Sequence, residues 1–126
     1  MADKRELSSA QMDVYRRTAL QKAATEQTAS AARRKRGWAL AKEAARLVKE
    51  EFGASRVLVF GSLVHQASFN RWSDVDIAAW GLRPEDTFRA MGAVQALAQD
   101  IELNLVDVQT GRAELVISIE AEGVEV

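Results

Sequence analysis

The spacing of apolar residues changes at Gly53 and divides the chain into two regions. From Ser8 to Phe52 there is no proline and only one glycine, and Ala, Arg, Lys, Gln and Glu dominate. These are good helix formers, so we predict that the whole segment is helical. Ser8 followed by Gln11 has the form of a capping box, which marks the helix start, and Gly53 marks its end.

The two halves of this helical segment differ in their apolar faces. Leu40, Ala44 and Leu47 form a stripe that predicts packing on a core. The first half has only a thin stripe, made of Met12, Tyr15, Ala19 and Ala23. We therefore expect an N-terminal helical arm, residues 1–36, and a domain, residues 37–126. Either one helix, or two with a break near residues 25–30 or at Gly37, fits this pattern.

After Gly53 the apolar residues follow the shorter periods of strands, alternating with helical segments. Strands are predicted at 56–60, 74–80 and 101–108. A short helix with a loop is predicted at 63–72, a helix beginning near Pro84 at 84–99, and a final helix capped by Thr110 and ending near Glu122. Residues 123–126 close the chain. This order predicts an α/β (α+β) domain with a small mixed sheet flanked by helices.

Composition limits the chemistry that the chain can perform. With 126 residues, 48% of them apolar, the chain has room for one folded domain and an extension. It contains no cysteine, which excludes disulfides, thiolate zinc sites and a cysteine nucleophile, and its one histidine excludes a Ser-His triad unless His65 serves in it. Any metal site must rest on carboxylates. We expect neither a membrane span nor a signal peptide, and a cytoplasmic location.

Charge is distributed unevenly along the chain. Residues 1–50 carry 12 Lys and Arg against 6 Asp and Glu, whereas residues 51–126 carry 5 against 12. This asymmetry favours two mutually attractive faces or a charged partner over a nucleic-acid-binding arm. The basic run 33–36 is spread around the helix and is interpreted as a solvated segment or a contact with an acidic partner.

Two features point to phosphate chemistry. Asp74 and Asp76 are separated by one residue on a predicted strand, so both carboxylates project from one face, about 6.5–7 Å apart along the chain. A divalent cation is the usual compensation for two such charges, and Mg²⁺ prefers these oxygens together with substrate phosphates. Gly61-Ser62 ends the first predicted strand in a turn whose amides and hydroxyl suit a phosphate.

Together these motifs resemble a known family. Val59-Phe-Gly-Ser62 followed by Ser73-Asp-Val-Asp-Ile77 is similar to the signature of the DNA polymerase β-like nucleotidyltransferases, in particular the minimal nucleotidyltransferase (MNT) group. The resemblance extends over about residues 37–126, through Ala78–Leu82, Leu105–Asp107 and Ile119–Val124.

The resemblance implies a function and a set of site residues. Asp74 and Asp76 would hold Mg²⁺ or Mn²⁺, and Gly61, Ser62 and Ser73 would contact a nucleoside triphosphate such as ATP. The family transfers a nucleoside monophosphate to an acceptor and releases pyrophosphate. Many MNT proteins neutralise a helical HEPN ribonuclease toxin, some by attaching AMP to it, so a HEPN-type partner is expected here.

The chain departs from the family pattern at its third carboxylate. Asn104 occupies that position, and an amide can neither supply charge nor act as a general base. Asp107 points to the opposite face by strand parity, and Glu102 shares the face of Asn104, so these are the two alternative third carboxylates. Leu63 and Gln66 stand where the family often has a basic residue and a glycine.

Two functions therefore remain open. One is a nucleotidyltransferase in which Asp74, Asp76 and Asn104 form the catalytic set. The other is a catalytically impaired antitoxin that binds a HEPN toxin, or a second copy of the chain, through the N-terminal helix. A nucleic-acid-binding module is the least supported. His65 is interpreted as a polar loop residue, and core or interface packing is expected for the three tryptophans, Trp38, Trp72 and Trp80.

Overall fold

The computed structural model describes residues 8–126, except for the side chain of Ala67. The chain divides into two compact units, with the division between Ala32 and Arg33. The second unit thus begins at Arg33, whereas the sequence places the start of the domain at residue 37. Helix α1 (Ser9–Phe52) is one continuous helix that contributes to both units.

The described part of the first unit consists of helix α1 from its start to Ala32. The predicted capping box is confirmed, because the Ser8 amide donates to Gln11 Oε1 at 2.8 Å and the Gln11 amide donates to Ser8 Oγ at 3.2 Å. No break occurs at residues 25–30, because α1 continues through them; within it the hydroxyls of Thr25 and Thr28 donate to carbonyls one turn earlier.

The second unit contains the rest of the secondary structure. The elements after α1 are β1 (Arg56–Phe60), β2 (Val75–Trp80), α2 (Thr87–Gln95), β3 (Leu103–Asp107), α3 (Ala113–Glu122) and β4 (Val124–Glu125). Short 3₁₀ turns lie at Gly61–Leu63, Gln66–Ser68 and Pro84–Asp86. Gly53, with φ of +72°, ends α1 as predicted.

The strands form one mixed sheet in the order β3-β2-β1-β4. β1 pairs antiparallel with β2 and with β4, whereas β2 and β3 are parallel. The predicted mixed α/β domain with a long N-terminal helix is therefore confirmed, and the C-terminal segment adds the fourth strand.

One face of the sheet carries the main core. Side chains that alternate along β1, β2 and β3 are buried there against the second half of α1 and against α2. Gly37 is part of this contact. A Cβ at this position would lie 3.1–3.3 Å from the side chains of Leu63, Phe69 and Val75, so glycine lets the helix approach them. This packing explains why a glycine is found inside a helix that continues through it without a break.

The opposite face of the sheet is only partly covered. Ile119 of α3 packs on Leu58 and Ala78 near the middle of the sheet. Beyond α3, towards the end of β1 and the beginnings of β2 and β3, this face carries polar side chains, described below. We call it the open face.

The predicted helix boundaries need correction. Thr110 does not cap the last helix, because its hydroxyl donates to the Asp107 carbonyl at 3.1 Å and α3 begins at Ala113. The helix predicted at 84–99 is a 3₁₀ turn followed by α2, which ends at Gln95. Within residues 8–126, no helix is long and apolar enough to cross a membrane.

Candidate functional site

A row of three residues crosses the sheet at the uncovered end of the open face. The strand register aligns Phe60 of β1 with Asp76 of β2, and Asp76 with Asn104 of β3. Asp74 immediately precedes β2 and lies on the same side of the strand as Asp76. The parallel pairing of β2 and β3 thus brings the two carboxylates and the amide together.

Asn104 bridges the two carboxylates. Its Nδ2 donates to Asp76 Oδ1 at 3.1 Å and lies 3.5 Å from Asp74 Oδ2. The amide therefore stands where the sequence resemblance expects a third carboxylate, and here it acts as a hydrogen-bond donor. A 180° turn of the amide would present its oxygen to the same point, and that oxygen is a ligand for a hard cation.

The surroundings of Asp76 disfavour the ionised form of its carboxyl group. Burial, the largest cause, raises the pKa of Asp76 above its usual range, and the charge of Asp74 raises it further. The hydrogen bond from Asn104 acts in the opposite direction but does not compensate for burial. The negative charge at this point is therefore under-compensated by the protein itself.

The Gly61-Ser62 turn lies directly beside Asp76. Gly61 has φ of +76°, and a Cβ at this position would lie 3.0 Å from Asp76 Oδ2. A side chain would press on the carboxylate, so glycine permits both the turn and the close approach. Ser62 follows in the 3₁₀ turn Gly61–Leu63, and Leu63 is fully buried in the core.

A cleft of about 330 Å³ opens next to this turn, between Phe60–Ser68 and helix α3. Gly61, Ser62, Ser68 and Ser118 contribute to its lining. His65 and Glu122 also line it, and His65 Nε2 lies 3.2 Å from Glu122 Oε2. His65, interpreted from sequence as a loop residue, thus links the turn to α3.

Ser73 holds the loop that precedes Asp74. Its Oγ donates to the Ser68 carbonyl at 3.2 Å and accepts from the Asn70 amide at 3.0 Å. This hydroxyl therefore stabilises the loop. It is not part of the row formed by Phe60, Asp76 and Asn104.

The alternative third carboxylates lie elsewhere. Asp107 is 1% exposed on the core face, where Thr87 Oγ1 of α2 donates to Oδ2 at 2.6 Å and the Gln109 amide donates to Oδ1 at 3.1 Å. Glu102 is exposed just before β3. Among residues 8–126, no three acidic, histidine or cysteine side chains come close enough to form a metal-binding group.

Arg33 is a residue of the site region that the sequence interpretation missed. Its guanidinium donates to the carbonyls of Asn70, Ser73 and Asp100 at 3.1–3.2 Å, and its side chain is only 15% exposed. Arg36 pairs with Asp100 at 2.9 Å. The prediction of a solvated basic segment is therefore wrong for Arg33, whereas the side chain of Arg36 is 53% exposed, as predicted.

A signal for Arg33 exists in the sequence. Counting back in helical steps, the buried positions Val48, Ala44, Ala41 and Gly37 lead to Arg33 on the same side of α1. The long side chain at the end of an apolar stripe reaches the loop while its charge is met by carbonyls.

The three tryptophans have different environments. Trp38 and Trp80 are half-buried against the two cores, with guanidinium groups at 6.0 and 4.7 Å from their rings, those of Arg34 and Arg56 respectively. Trp72 is 78% exposed, so it is not part of the core.

Comparison with known proteins gives matches to solved structures only. No protein-family model matches the chain. No curated protein matches it either. A mutant MntA-HpeT toxin-antitoxin complex has 19% identity and a TM-score of 0.54, over 68% of this chain and 69% of that chain.

Two further structures match to the same degree. A complex of tri-AMPylated Shewanella oneidensis HEPN toxin with MNT antitoxin has 18% identity and a TM-score of 0.52, over 71% of this chain and 70% of that chain. A toxin-antitoxin structure with AMP-PNP has 20% identity and a TM-score of 0.53, over 64% of this chain and 67% of that chain. The chain therefore has the fold of the minimal nucleotidyltransferases.

Proposed function

We propose that this chain is the antitoxin of a toxin-antitoxin pair and that it transfers AMP from ATP to a protein acceptor with Mg²⁺ or Mn²⁺. The observation that carries the proposal is the convergence of Asp74, Asp76 and Asn104 beside the Gly61-Ser62 turn. The similar structures include an AMPylated HEPN toxin and a complex with AMP-PNP, which supports ATP as donor and a HEPN-type protein as acceptor.

The donor set fits a divalent cation. Mg²⁺ and Mn²⁺ bind oxygen ligands such as carboxylates and amide carbonyls. The site offers two carboxylates, of which Asp76 carries a charge that the protein does not fully compensate, and an amide that can present its oxygen. Asp74 and Asp76 would hold the cation, with Asn104 beside them. Bound there, the cation would neutralise the triphosphate and polarise the acceptor hydroxyl.

The protein's own groups would then divide the remaining work. Ser62 and the amides of the turn would bind phosphate oxygens, and the cleft next to them has room for part of the nucleotide. The acceptor oxygen would attack the α-phosphorus, and the bond to the β-phosphate oxygen would break to release pyrophosphate. Asn104 has no basic atom for the acceptor's proton, so we expect that proton to pass to water and transfer to be slow.

Ligand-dependent melting tests the binding step. ATP with Mg²⁺ or Mn²⁺ at 100 times Kd should stabilise the chain by about 2.7 kcal/mol. Asp76→Ala should lose this stabilisation, whereas Glu102→Gln, which alters an exposed carboxylate outside the pair, should keep it. Equal responses of the parent and Asp76→Ala would place nucleotide binding elsewhere.

Label transfer tests the reaction. A co-expressed HEPN-type protein should acquire label from α-labelled ATP and none from γ-labelled ATP, because pyrophosphate leaves with the β- and γ-phosphates. The absence of transfer with binding intact would favour the second candidate function, a catalytically impaired antitoxin that acts by binding. Asn104 is the observation that favours this second function.

Helix α1 offers a surface for the partner. In the first unit Val14, Tyr15 and Leu20 are 56–69% exposed, and we propose that they contact the HEPN-type toxin. Residues 33–126, which retain Arg33, should fold cooperatively but bind the toxin more weakly than the whole chain. Size-exclusion chromatography of the chain alone would show whether these residues instead join two copies.

A further inference from the structure

The turn that precedes Asp74 is held by several hydrogen bonds. The Trp72 amide donates to Asn70 Oδ1 at 2.8 Å, and the Ser73 amide donates to the Asn70 carbonyl at 3.1 Å. Arg33 donates to carbonyls at both ends of the turn, those of Asn70 and Ser73. With its backbone groups paired in this way, the turn Asn70–Ser73 fixes the backbone from which the side chains of Arg71 and Trp72 project.

This turn displays the indole of Trp72 to solvent. Trp72 is 78% exposed, and the Arg71 guanidinium lies 4.9 Å from the centroid of its ring. The guanidinium lies over one face of the indole, and the high exposure of Trp72 leaves ring surface open to solvent. An exposed indole contributes little to the stability of the fold, so its place on a hydrogen-bonded turn calls for another explanation.

The position of Trp72 in the chain limits what it can contact. It precedes Asp74 by two residues, which places their Cα atoms no more than about 7 Å apart. The turn therefore lies close enough to the two carboxylates for a side chain on it to reach a nucleoside whose phosphates are bound there. A planar ligand also gains most from an aromatic ring whose plane is held in advance.

We propose that Trp72 stacks on the base of the bound nucleotide, with the Arg71 guanidinium on the other face of the indole. This inference rests on the proposed nucleotide binding at Asp74 and Asp76. Stacking on a single ring face favours the larger purines over pyrimidines and requires no hydrogen-bond pattern on the base. Trp72 is thus a specificity-determining residue that acts by ring size.

Equilibrium binding of two probes with Mg²⁺ tests the proposal. AMP-PNP contains the base, whereas tripolyphosphate offers only the phosphates. Replacing Trp72 with alanine should weaken AMP-PNP binding about 5- to 150-fold, the range that base–aromatic stacking gives, and leave tripolyphosphate binding unchanged. Trp72→Phe should retain most of the affinity. Phe88→Ala removes another exposed aromatic ring, 85% exposed on helix α2 behind the sheet, and should change neither probe.

Fluorescence provides an independent readout. AMP-PNP should quench the emission of the parent, and this quenching should disappear in Trp72→Phe although the nucleotide still binds. Non-hydrolysable GTP should bind the parent more tightly than the corresponding CTP analogue, and the preference should vanish in Trp72→Ala.

The possible failures are distinguishable. If the parent binds both probes and Trp72→Ala binds AMP-PNP equally well, the stacking proposal is overturned and the proposed function stands. If the parent binds neither probe, both are overturned. Unchanged nucleotide binding with weaker association of the HEPN-type partner would assign Trp72 to a protein contact. An unchanged melting temperature of Trp72→Ala, expected for so exposed a side chain, would exclude misfolding.

Discussion

Replacing Asn104 with aspartate would place three carboxylates at one point on the sheet. In the parent, the Asn104 amide lies 3.1 Å from Asp76 Oδ1 and 3.5 Å from Asp74 Oδ2. The substitution changes neither the length nor the branching of the side chain. It replaces one hydrogen bond donor by a negative oxygen, so attraction becomes repulsion while the packing stays the same.

Two arguments give the size of the effect on stability without metal. Two like charges about 4 Å apart at an effective dielectric constant of about 20 repel by roughly 4 kcal/mol before the side chains relax. The site can avoid this repulsion by binding a proton. Where the pKa of a carboxyl group lies three units below the ambient pH, protonating that group costs about 4 kcal/mol. We therefore expect Asn104→Asp to lower the free energy of unfolding by about 1–4 kcal/mol at pH 7.

Bound metal should reverse this loss of stability, and the third carboxylate should then speed nucleotidyl transfer. A third carboxylate supplies both a charged ligand and a base, so Mn²⁺ or Mg²⁺ with ATP should raise the melting temperature of Asn104→Asp more than that of the parent. Nucleotidyl transfer from α-labelled ATP should increase about 10²–10⁴-fold. Asn104→Ala, which removes the amide without adding charge, should give neither gain.

Two results would refute this reasoning. If Asn104→Asp melts like the parent both with and without metal, the three side chains do not share one site. If Asp107→Asn abolishes a strong parental transfer while Asn104→Asp changes nothing, Asp107 is the third ligand and the assigned roles on β3 are wrong.

Three other substitutions test what single side chains contribute to the stability of the fold. Because the pKa of Asp76 is raised in the folded chain, its ionisation destabilises the fold as pH rises, so Asp76→Asn should raise the metal-free melting temperature at pH 7, and this gain should vanish below pH 3.8. Asp107→Ala leaves the Thr87 hydroxyl unpaired and should cost about 2–3 kcal/mol in chemical denaturation while retaining the ATP-dependent stabilisation. Arg33→Ala should cost about 1–3 kcal/mol through its lost carbonyl contacts, against less than about 0.5 kcal/mol for exposed Lys35→Ala, both measured in urea.

Much of the fold follows from short-range patterns in the sequence. The apolar run at 56–60, the capping box at Ser8 and Gln11 and the glycine after Phe52 each depend on neighbours within a few residues. The period of the strands also determines which side chains share a face, and it predicts that Asp107 points away from Asn104, as it does. Such features can be predicted because backbone preference and side-chain alternation are local.

The contacts of the site depend on residues that are far apart in the chain. Asn104 meets Asp76 because β2 and β3 pair in parallel, and no local pattern states that the amide donates to both carboxylates. The basic run at 33–36 looks the same in sequence whether it is solvated or bonded, but Arg33 meets carbonyls 37–67 residues away. The exposure of Trp72 was likewise decided by the tertiary structure. A side chain's composition fixes which bonds it can form, whereas only packing decides which distant partners come within reach.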